Sequence, residues 1–363
     1  MPGGSAFCAW RFQVTGQLLM RICRVLLVSL LSCICMSAER GQETVTCARC
    51  HQKQASTQPG TQMGHAMQVP GDNDTLRAHP ELTFRREQYT YTVKTQNGQT
   101  QYIVSDGTHS ISIPVVWSMG AQAQTWLLDH NGRMYESLVS YYPSIEGLAL
   151  TVGDDRLEPK TLEEAIGRPL LEEGVTTCFG CHASNAVIGH KLNLTSLKPG
   201  LTCEHCHVDA GAHLASIAQG DWTVFPPELK DLSSEDISNF CGQCHRTWEL
   251  VVRAGWRGTS NVRFQPYRLA ISKCFDGADP RISCIACHDP HQKVVRGASF
   301  YDSKCLACHS PAMSAAAPHA KVCSVAKVNC ASCHMPKVPF PGGHFVFTDH
   351  DIRIVKPNEP YPY

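Results

Sequence analysis

Short alternating runs of apolar and polar residues set one part of the chain apart from the rest. A period of two is typical of strands that bury one face, and Asn-Gly between two such runs favours a tight hairpin. The runs and their turns are 89–93, Asn97-Gly98 and 101–104, then 111–113, 115–117, 125–128, Asn131-Gly132 and 134–142. The pattern predicts a small antiparallel β-module over residues 72–155.

Periodic segments are few in the remainder of the chain. Leu162–Ile166 consists of strong helix formers, and Thr161 before it is a suitable N-cap. A second helix is expected to start near Ser233 and to run toward Cys241. The predicted fold is therefore mainly α and irregular with few regular elements, plus the inserted small antiparallel β-module.

The pattern of cysteines indicates which cofactor this irregular part of the chain binds. Among 20 cysteines, 14 belong to seven copies of Cys-x-x-Cys-His. The pattern is typical of covalent c-type haem attachment, in which two thiols bond to one macrocycle and the adjoining His binds its iron. Zinc also accepts Cys and His, but it tolerates varied spacings and needs no His directly after each second Cys.

We therefore predict seven covalently bound haem c groups. The attachment thiols would be those of Cys47 and Cys50, Cys178 and Cys181, Cys203 and Cys206, Cys241 and Cys244, Cys284 and Cys287, Cys305 and Cys308, and Cys330 and Cys333. The first axial ligands would be His51, His182, His207, His245, His288, His309 and His334.

Six of the motifs are crowded into the 157 residues from Cys178 to His334. About 26 residues per ring are too few to build an apolar core around each one. The rings are therefore expected to form the core themselves, closely stacked. We predict a first haem segment at residues 39–71 and a hexahaem core with a ligand-bearing C-terminal tail at 156–363.

Each iron can take a second axial ligand, for which His and Met are the candidates here. Eleven His lie outside the motifs, and seven of them are suitably placed along the chain. The predicted second ligands are His65, His190, His213, His291, His319, His344 and His350. Met63 or Met67 could replace His65. His205 could replace His190. An iron left without a second ligand would be five-coordinate and able to bind a substrate.

Residues 1–38 have the features of a signal peptide. Basic residues precede an apolar run at 25–35, and small residues at 37–38 offer a cleavage site. The mature chain is therefore expected in the periplasm or another extracytoplasmic compartment. Two forms of membrane attachment stay open, namely an uncleaved N-terminal segment and a lipid on Cys33.

Charge and the remaining side chains narrow the possibilities further. The 32 basic and 32 acidic residues cancel, so nothing indicates a nucleic-acid partner. In an oxidising compartment Cys274 and Cys323 could form a disulfide, or they could stay as two unpaired thiols. His79, His109 and His130 are expected to be turn or surface residues.

Several motifs resemble those of bacterial multihaem c-type cytochromes. The similar segments are Gly211-Ala-His213, Cys287-His288-Asp289-Pro290-His291 and Cys333-His334-Met335-Pro336-Lys337. The group that they resemble contains the tetrahaem cytochrome of ammonia oxidisers, pentahaem nitrite reductases and octahaem hydroxylamine oxidoreductases. The resemblance implies mostly bis-His haems in parallel and perpendicular stacked pairs. The chain lacks the Cys-x-x-Cys-Lys motif and the cross-linking Tyr of the enzymatic members, so their activities are not implied.

The sequence thus favours an exported heptahaem electron carrier that exchanges electrons with redox partner proteins, and it assigns no catalytic residue. The alternative is a multihaem oxidoreductase that acts on a small nitrogen or sulfur compound at a five-coordinate haem. Arg263, Tyr267 and Arg268 could serve such a site. The β-module could also provide a docking surface for a redox partner.

Overall fold

The computed structural model describes residues 46–311, 321–356 and 358–361. The predicted signal peptide, with Cys33, and the predicted ligand His319 lie outside these residues. Those described from Cys47 onward belong to one compact unit. None of the helices in the described ranges is long and apolar enough to cross a membrane.

The largest element of the described chain is a nine-stranded antiparallel sheet. Its strands are β1 Met67–Gln68, β2 Glu81–Arg86, β3 Tyr89–Gln96, β4 Gln99–Ser105, β5 Ser110–Met119, β6 Gln124–His130, β7 Arg133–Tyr142, β8 Gly147–Leu150 and β9 Gly167–Pro169. Strands β2 to β8 pair in the order of the sequence, while β1 pairs with β5 and β9 pairs with β7.

Both predicted Asn-Gly hairpins are confirmed. Asn97 and Gly98 join β3 to β4, and Asn131 and Gly132 join β6 to β7. All four residues have positive φ, which a two-residue turn needs in order to match the twist of its strands. Alternate residues of β3 are buried, as its apolar–polar pattern predicts.

The sheet curls back on itself. Register shifts between Val115 and Trp117 in β5, and between Thr125 and Leu127 in β6, bend these strands. As a result β2 lies against β8, and one apolar core fills the interior. The largest fully buried side chains of this core include Trp126, Tyr91, Tyr102, Leu128 and Leu138.

The prediction of a mainly α and irregular fold with only a small β-module is wrong. A large antiparallel sheet dominates the described structure and extends beyond residues 72–155 at both ends, through β1 and β9. Strands of two or three residues are too short to show an alternating pattern. They form because the long strands β5 and β7 offer unpaired backbone groups beside them.

The helices of the described ranges are short. They are α1 Cys47–Cys50, α2 Gln52–Thr57, α3 Asp74–Ala78, α4 Leu162–Ile166, α5 Glu172–His182, α6 Cys203–Cys206, α7 Ala210–Ala218, α8 Ser234–His245, α9 Trp248–Arg253, α10 Gln265–Ala270, α11 Cys284–Cys287, α12 Asp302–His309 and α13 Cys330–His334. The predicted cap of α4 is confirmed, because Thr161 Oγ1 accepts a hydrogen bond from the backbone N–H of Glu164. Ser233 caps α8 in the same way through the N–H of Asp236.

Helix α5 packs on the outer face of the sheet. Val175 and Phe179 of this helix share a buried apolar cluster with Met119 and Leu127, and Cys178 packs against the same cluster. The sheet therefore holds the helix whose last turn carries the second Cys-x-x-Cys-His motif.

The part of the chain that carries the other five downstream motifs has little apolar core of its own. Its one buried cluster consists, among the described residues, of Val251, Phe264 and Tyr267. All but two of the exposed large apolar side chains in the described chain lie after residue 170, and Trp222 and Phe225 are among the most exposed. Such an excess indicates surfaces that contact something other than water.

Candidate functional site

Each Cys-x-x-Cys-His motif lies on a helical turn. In the first, third and fifth motifs the His N–H donates to the carbonyl of the first Cys, at 2.8 Å for His51, 2.9 Å for His207 and 2.8 Å for His288. The second, fourth and sixth motifs end α5, α8 and α12, and the seventh forms α13. Positions i, i+3 and i+4 share a helix face, so both thiols and the imidazole project to one side. All 14 motif thiols are free.

Three motif imidazoles face a second imidazole from elsewhere in the chain. The centroid distances are 6.5 Å for His51 and His213, 6.1 Å for His207 and His291, and 6.2 Å for His288 and His350. A nitrogen about 2.0 Å from a metal and ~1.1 Å from its ring centre puts the centres of two axial imidazoles about 6.2 Å apart. The spacing of these three pairs fits one iron between each pair.

The partners in these pairs come from different motifs. His213 follows the third motif but faces the first. His291 follows the fifth but faces the third. His350, in the tail, faces the fifth motif. Each second imidazole thus connects its own chain segment to a motif elsewhere.

Hydrogen bonds at Nδ1 leave Nε2 available for a metal in five of the histidine rings. Five Nδ1 atoms lie within hydrogen-bonding distance of a backbone carbonyl, so each must donate its proton, and a neutral ring then carries its lone pair on Nε2. The bonds are His182 to Ala66 (2.9 Å), His213 to Val224 (2.6 Å), His309 to Lys321 (2.8 Å), His334 to Arg353 (2.9 Å) and His350 to Thr348 (3.0 Å). Metal-ligating His residues almost always have such a partner.

The histidines that were expected not to bind metal show the opposite arrangement. Nε2 of His79 bonds to the Tyr141 hydroxyl at 3.0 Å, and Nε2 of His130 bonds to Glu163 at 3.2 Å. In both rings the nitrogen that a haem iron would need is already engaged.

Burial keeps several of the paired rings neutral. The surrounding protein lowers the pKa of His207, His245 and His288, and it lowers that of His350 to about 4. Neutral imidazole is the form that binds a metal. His245 is nevertheless exposed.

Thiols from four motifs meet around the fourth motif. The Cys244 thiol interacts with the Cys181 thiol of the second motif and lowers the pKa of Cys181. Cys241 interacts directly with Cys284 of the fifth motif. Cys206 of the third motif lies within electrostatic range of both Cys241 and Cys244. The fourth motif therefore adjoins three others.

The remaining motifs lie beside these four and extend them into a longer series in two directions. Cys203 of the third motif interacts with Cys47 of the first. Cys287 of the fifth lies within electrostatic range of Cys305 of the sixth, and Cys305 interacts with Cys330 of the seventh. All seven motifs thus form one connected series.

The first motif lies beside the third because the segment that follows it, residues 58–64, contacts residues 200–201. Gln58 Nε2 donates to the carbonyl of Leu201 at 2.6 Å, and the N–H of Leu201 donates to the carbonyl of Met63 at 3.0 Å. Gly200 has φ +70°, and a Cβ there would lie 1.9 Å from the Gly64 carbonyl oxygen. Glycine is required because two backbones touch at this point.

Other predicted ligands lie apart from the described imidazole pairs. His65 and His190 are exposed, and His190 has positive φ in the turn of a small hairpin. The ring of His344 packs on Tyr142 with centroids 5.1 Å apart. Met67, the suggested substitute for His65, is only 1% exposed and belongs to the cluster between sheet and α5.

The side chains suggested for a substrate site are otherwise engaged. Arg268 is buried in ion pairs with Asp349 and Asp351. Tyr267 is buried and stacks on Trp248. The Arg263 guanidinium lies over the rings of Phe264 and Phe340.

The two remaining cysteines of the described chain do not form the suggested disulfide. Cys274 and Cys323 are both free thiols. Cys274 lies within electrostatic range of Cys287, Cys305 and Cys308, and Cys323 is exposed.

Sequence reasoning missed the groups that orient the imidazoles. Most are backbone carbonyls, whose positions no residue pattern reveals. The side-chain exceptions are Tyr301, whose hydroxyl lies 3.5 Å from Nδ1 of His288, and Asp289, whose carboxylate lies 3.2 Å from Nδ1 of His291. The second was readable in principle, because Asp289 lies between the two histidines in the sequence.

The donor set contains the groups that could hold haem c. Paired thiols and opposed imidazoles are the groups that hold such a haem. Within the described ranges, no three or more His, Cys, Asp or Glu side chains converge in a way that could hold a metal ion. Comparisons with protein-family models, curated proteins and solved structures find no match to this chain.

Proposed function

We propose that this chain is an exported electron-transfer protein that binds seven haem c groups covalently and exchanges electrons with redox partner proteins. The observation that carries the proposal is the set of three imidazole pairs at 6.1–6.5 Å, each including a motif His. A bis-His iron has no free coordination position, so it suits electron transfer rather than substrate binding. Export is part of the proposal because the sequence begins with signal-peptide features.

The haem-binding residues of the chain would have three roles. The 14 motif thiols would anchor the rings, and the motif imidazoles would bind the irons from one side. His213, His291 and His350 would bind from the other side and join distant segments. When bound, haem supplies reversible one-electron exchange between ferric and ferrous iron. The protein sets its potential through ligand identity, hydrogen bonds and burial.

The haem content and spin state of the mature protein test this proposal. A pyridine haemochrome assay is expected to give seven haem c per chain, and EPR of the oxidised protein is expected to show the low-spin ferric signals of the three bis-His sites. A clearly different haem count would overturn the assignment of the motifs. A high-spin signal that shifts with nitrite or hydroxylamine would favour the oxidoreductase instead.

Replacing His291 by Ala is expected to convert one of the seven haems to high-spin iron, because His291 is the imidazole that faces His207. The matched control is His79→Ala, which is expected to leave the spectrum unchanged because Nε2 of that ring bonds to the Tyr141 hydroxyl. EPR of both variants at equal haem concentration measures the difference. Equal spectra for the two variants would show that His291 is not an axial ligand.

A further inference from the structure

A buried ion-pair cluster holds the C-terminal tail from Asp349 to Arg353. Arg268 Nε donates to Asp349 Oδ1 at 2.8 Å, and its Nη2 donates to Asp349 Oδ2 at 2.9 Å and to Asp351 Oδ2 at 3.3 Å. Arg353 Nη1 also donates to Asp349 Oδ2, at 2.8 Å. The side chains of Arg268 and Asp349 are fully buried. A two-pronged, charge-assisted contact of this kind fixes orientation as well as distance.

A serine that follows α10 holds the same tail through its backbone. Ser272 Oγ donates to the carbonyl of His350 at 2.7 Å and accepts from the N–H of Ile352 at 2.7 Å. Arg268 lies in α10 and Ser272 follows that helix, so one short stretch of chain holds the tail in two ways. Arg268 contacts the carboxylates of the tail, and Ser272 contacts its backbone at His350 and Ile352. The position of the His350 ring therefore depends on this stretch.

The tail presents two groups to two different motifs. The ring of His350 faces His288 of the fifth motif. The carbonyl of Arg353 accepts the Nδ1 proton of His334 in the seventh motif, at 2.9 Å, and the N–H of Arg353 donates to the His334 carbonyl at 3.2 Å. The five residues 349–353 thus supply a second imidazole opposite the fifth motif. They also supply the carbonyl that accepts the Nδ1 hydrogen bond of His334 in the seventh motif.

We propose that Arg268 is a positioning residue for two haem sites at once, holding His350 opposite His288 and the Arg353 carbonyl beside His334. The inference rests on the proposed function, because it assigns a haem iron to each of these two motifs. Loss of the guanidinium leaves the Asp349 carboxylate buried without its main partner. Such a group is strongly driven toward water, and its movement displaces the tail.

The Arg268→Gln variant tests the proposal. Seven haems per chain are expected to remain bound, because no thiol is altered. EPR is expected to show one high-spin ferric haem per chain from the displaced His350. A redox titration is expected to show a raised midpoint potential for a second haem, because the Nδ1 hydrogen bond that makes His334 more basic is lost. His350→Ala is expected to give the high-spin signal without the second change.

Two further variants make the outcome decisive. Arg253→Gln removes an exposed ion pair with Glu249 on α9 and is expected to change neither signal. If Arg268→Gln does not accumulate, the double variant Arg268→Gln/Asp349→Asn leaves no unpaired charge at position 349 and is expected to fold. It still lacks the two-pronged contact that fixes the tail, so the same two changes are expected at smaller amplitude. An unchanged spin state and unchanged potentials in the folded variant would overturn the positioning role. A wild-type chain without seven haems would instead overturn the proposed function.

Discussion

Replacing Cys241 and Cys244 together by Ala is expected to lower the haem content from seven to six per chain and to isolate one further haem from rapid electron exchange. The fourth motif is the one whose thiols adjoin three others, those of Cys181, Cys206 and Cys284. Among the described thiols, Cys181 of the second motif interacts directly with the fourth motif alone. The third site, and through it the first, stays connected to the fifth, because His291 beside the fifth motif faces His207 of the third. The second site has no such link and is therefore the one expected to lose its fast connection.

A photoreductant attached to the exposed thiol of Cys323 provides the measurement. Lys321, two residues earlier, accepts a hydrogen bond from His309, so electrons enter near the sixth motif. Transient absorbance is expected to show fast equilibration over fewer haems in the variant than in the wild type, with a separate slow phase for the second site.

The matched control is the Cys330→Ala/Cys333→Ala variant. It also loses one haem, but the seventh motif ends the series, so no other site should be disconnected. The control therefore measures the general effect of a missing haem on the fold. Identical slow phases in the two double variants would show that the fourth motif is not a junction.

Replacing Asp154 by Asn is expected to stabilise the protein above pH 6 by about 2 kcal/mol. Asp154 is 1% exposed, and neither of its carboxylate oxygens has a hydrogen-bond partner among the described residues. Burial raises its pKa to about 6, although Arg168 lies 3.8 Å away and acts in the opposite direction. The folded state therefore favours the protonated acid. That contribution to stability is complete below about pH 4 and is lost as the pH rises through about 6.

Urea unfolding followed by circular dichroism from pH 4 to pH 8 measures this effect. The wild-type midpoint is expected to fall across this range more steeply than that of Asp154→Asn. The control is Glu158→Gln, which alters an exposed carboxylate four residues away and should keep the wild-type slope. If the urea midpoints of wild type and Asp154→Asn fall in parallel as the pH rises, the ionised Asp154 carboxylate does not destabilise the folded state.

Local patterns predicted the elements whose physics is local. The hairpins at Asn97-Gly98 and Asn131-Gly132 follow from the positive φ that such turns require, and the cap at Thr161 follows from the unpaired N–H groups at a helix start. The extent of the sheet did not follow, because β1 and β9 exist only through pairing with β5 and β7. The sequence therefore underestimated the β-structure.

The candidate site divides in the same way. Spacing alone identified the seven Cys-x-x-Cys-His motifs, because two thiols and an imidazole at i, i+3 and i+4 share one helix face. A count of histidines gave seven second ligands but could not assign any to a motif. His213, His291 and His350 face motifs other than the nearest in sequence, and His344 packs on an aromatic ring of the sheet.

What the sequence determined by itself is the chemistry: the donor atoms, their spacing on helical turns, and the turns and caps that depend on neighbouring residues. What only the tertiary structure decided is which donors meet. The first motif joins the third because the backbones of Gly64 and Gly200 touch. His350 faces the fifth motif because a buried arginine holds its tail. Both results depend on contacts between residues more than 80 positions apart, which no local pattern encodes.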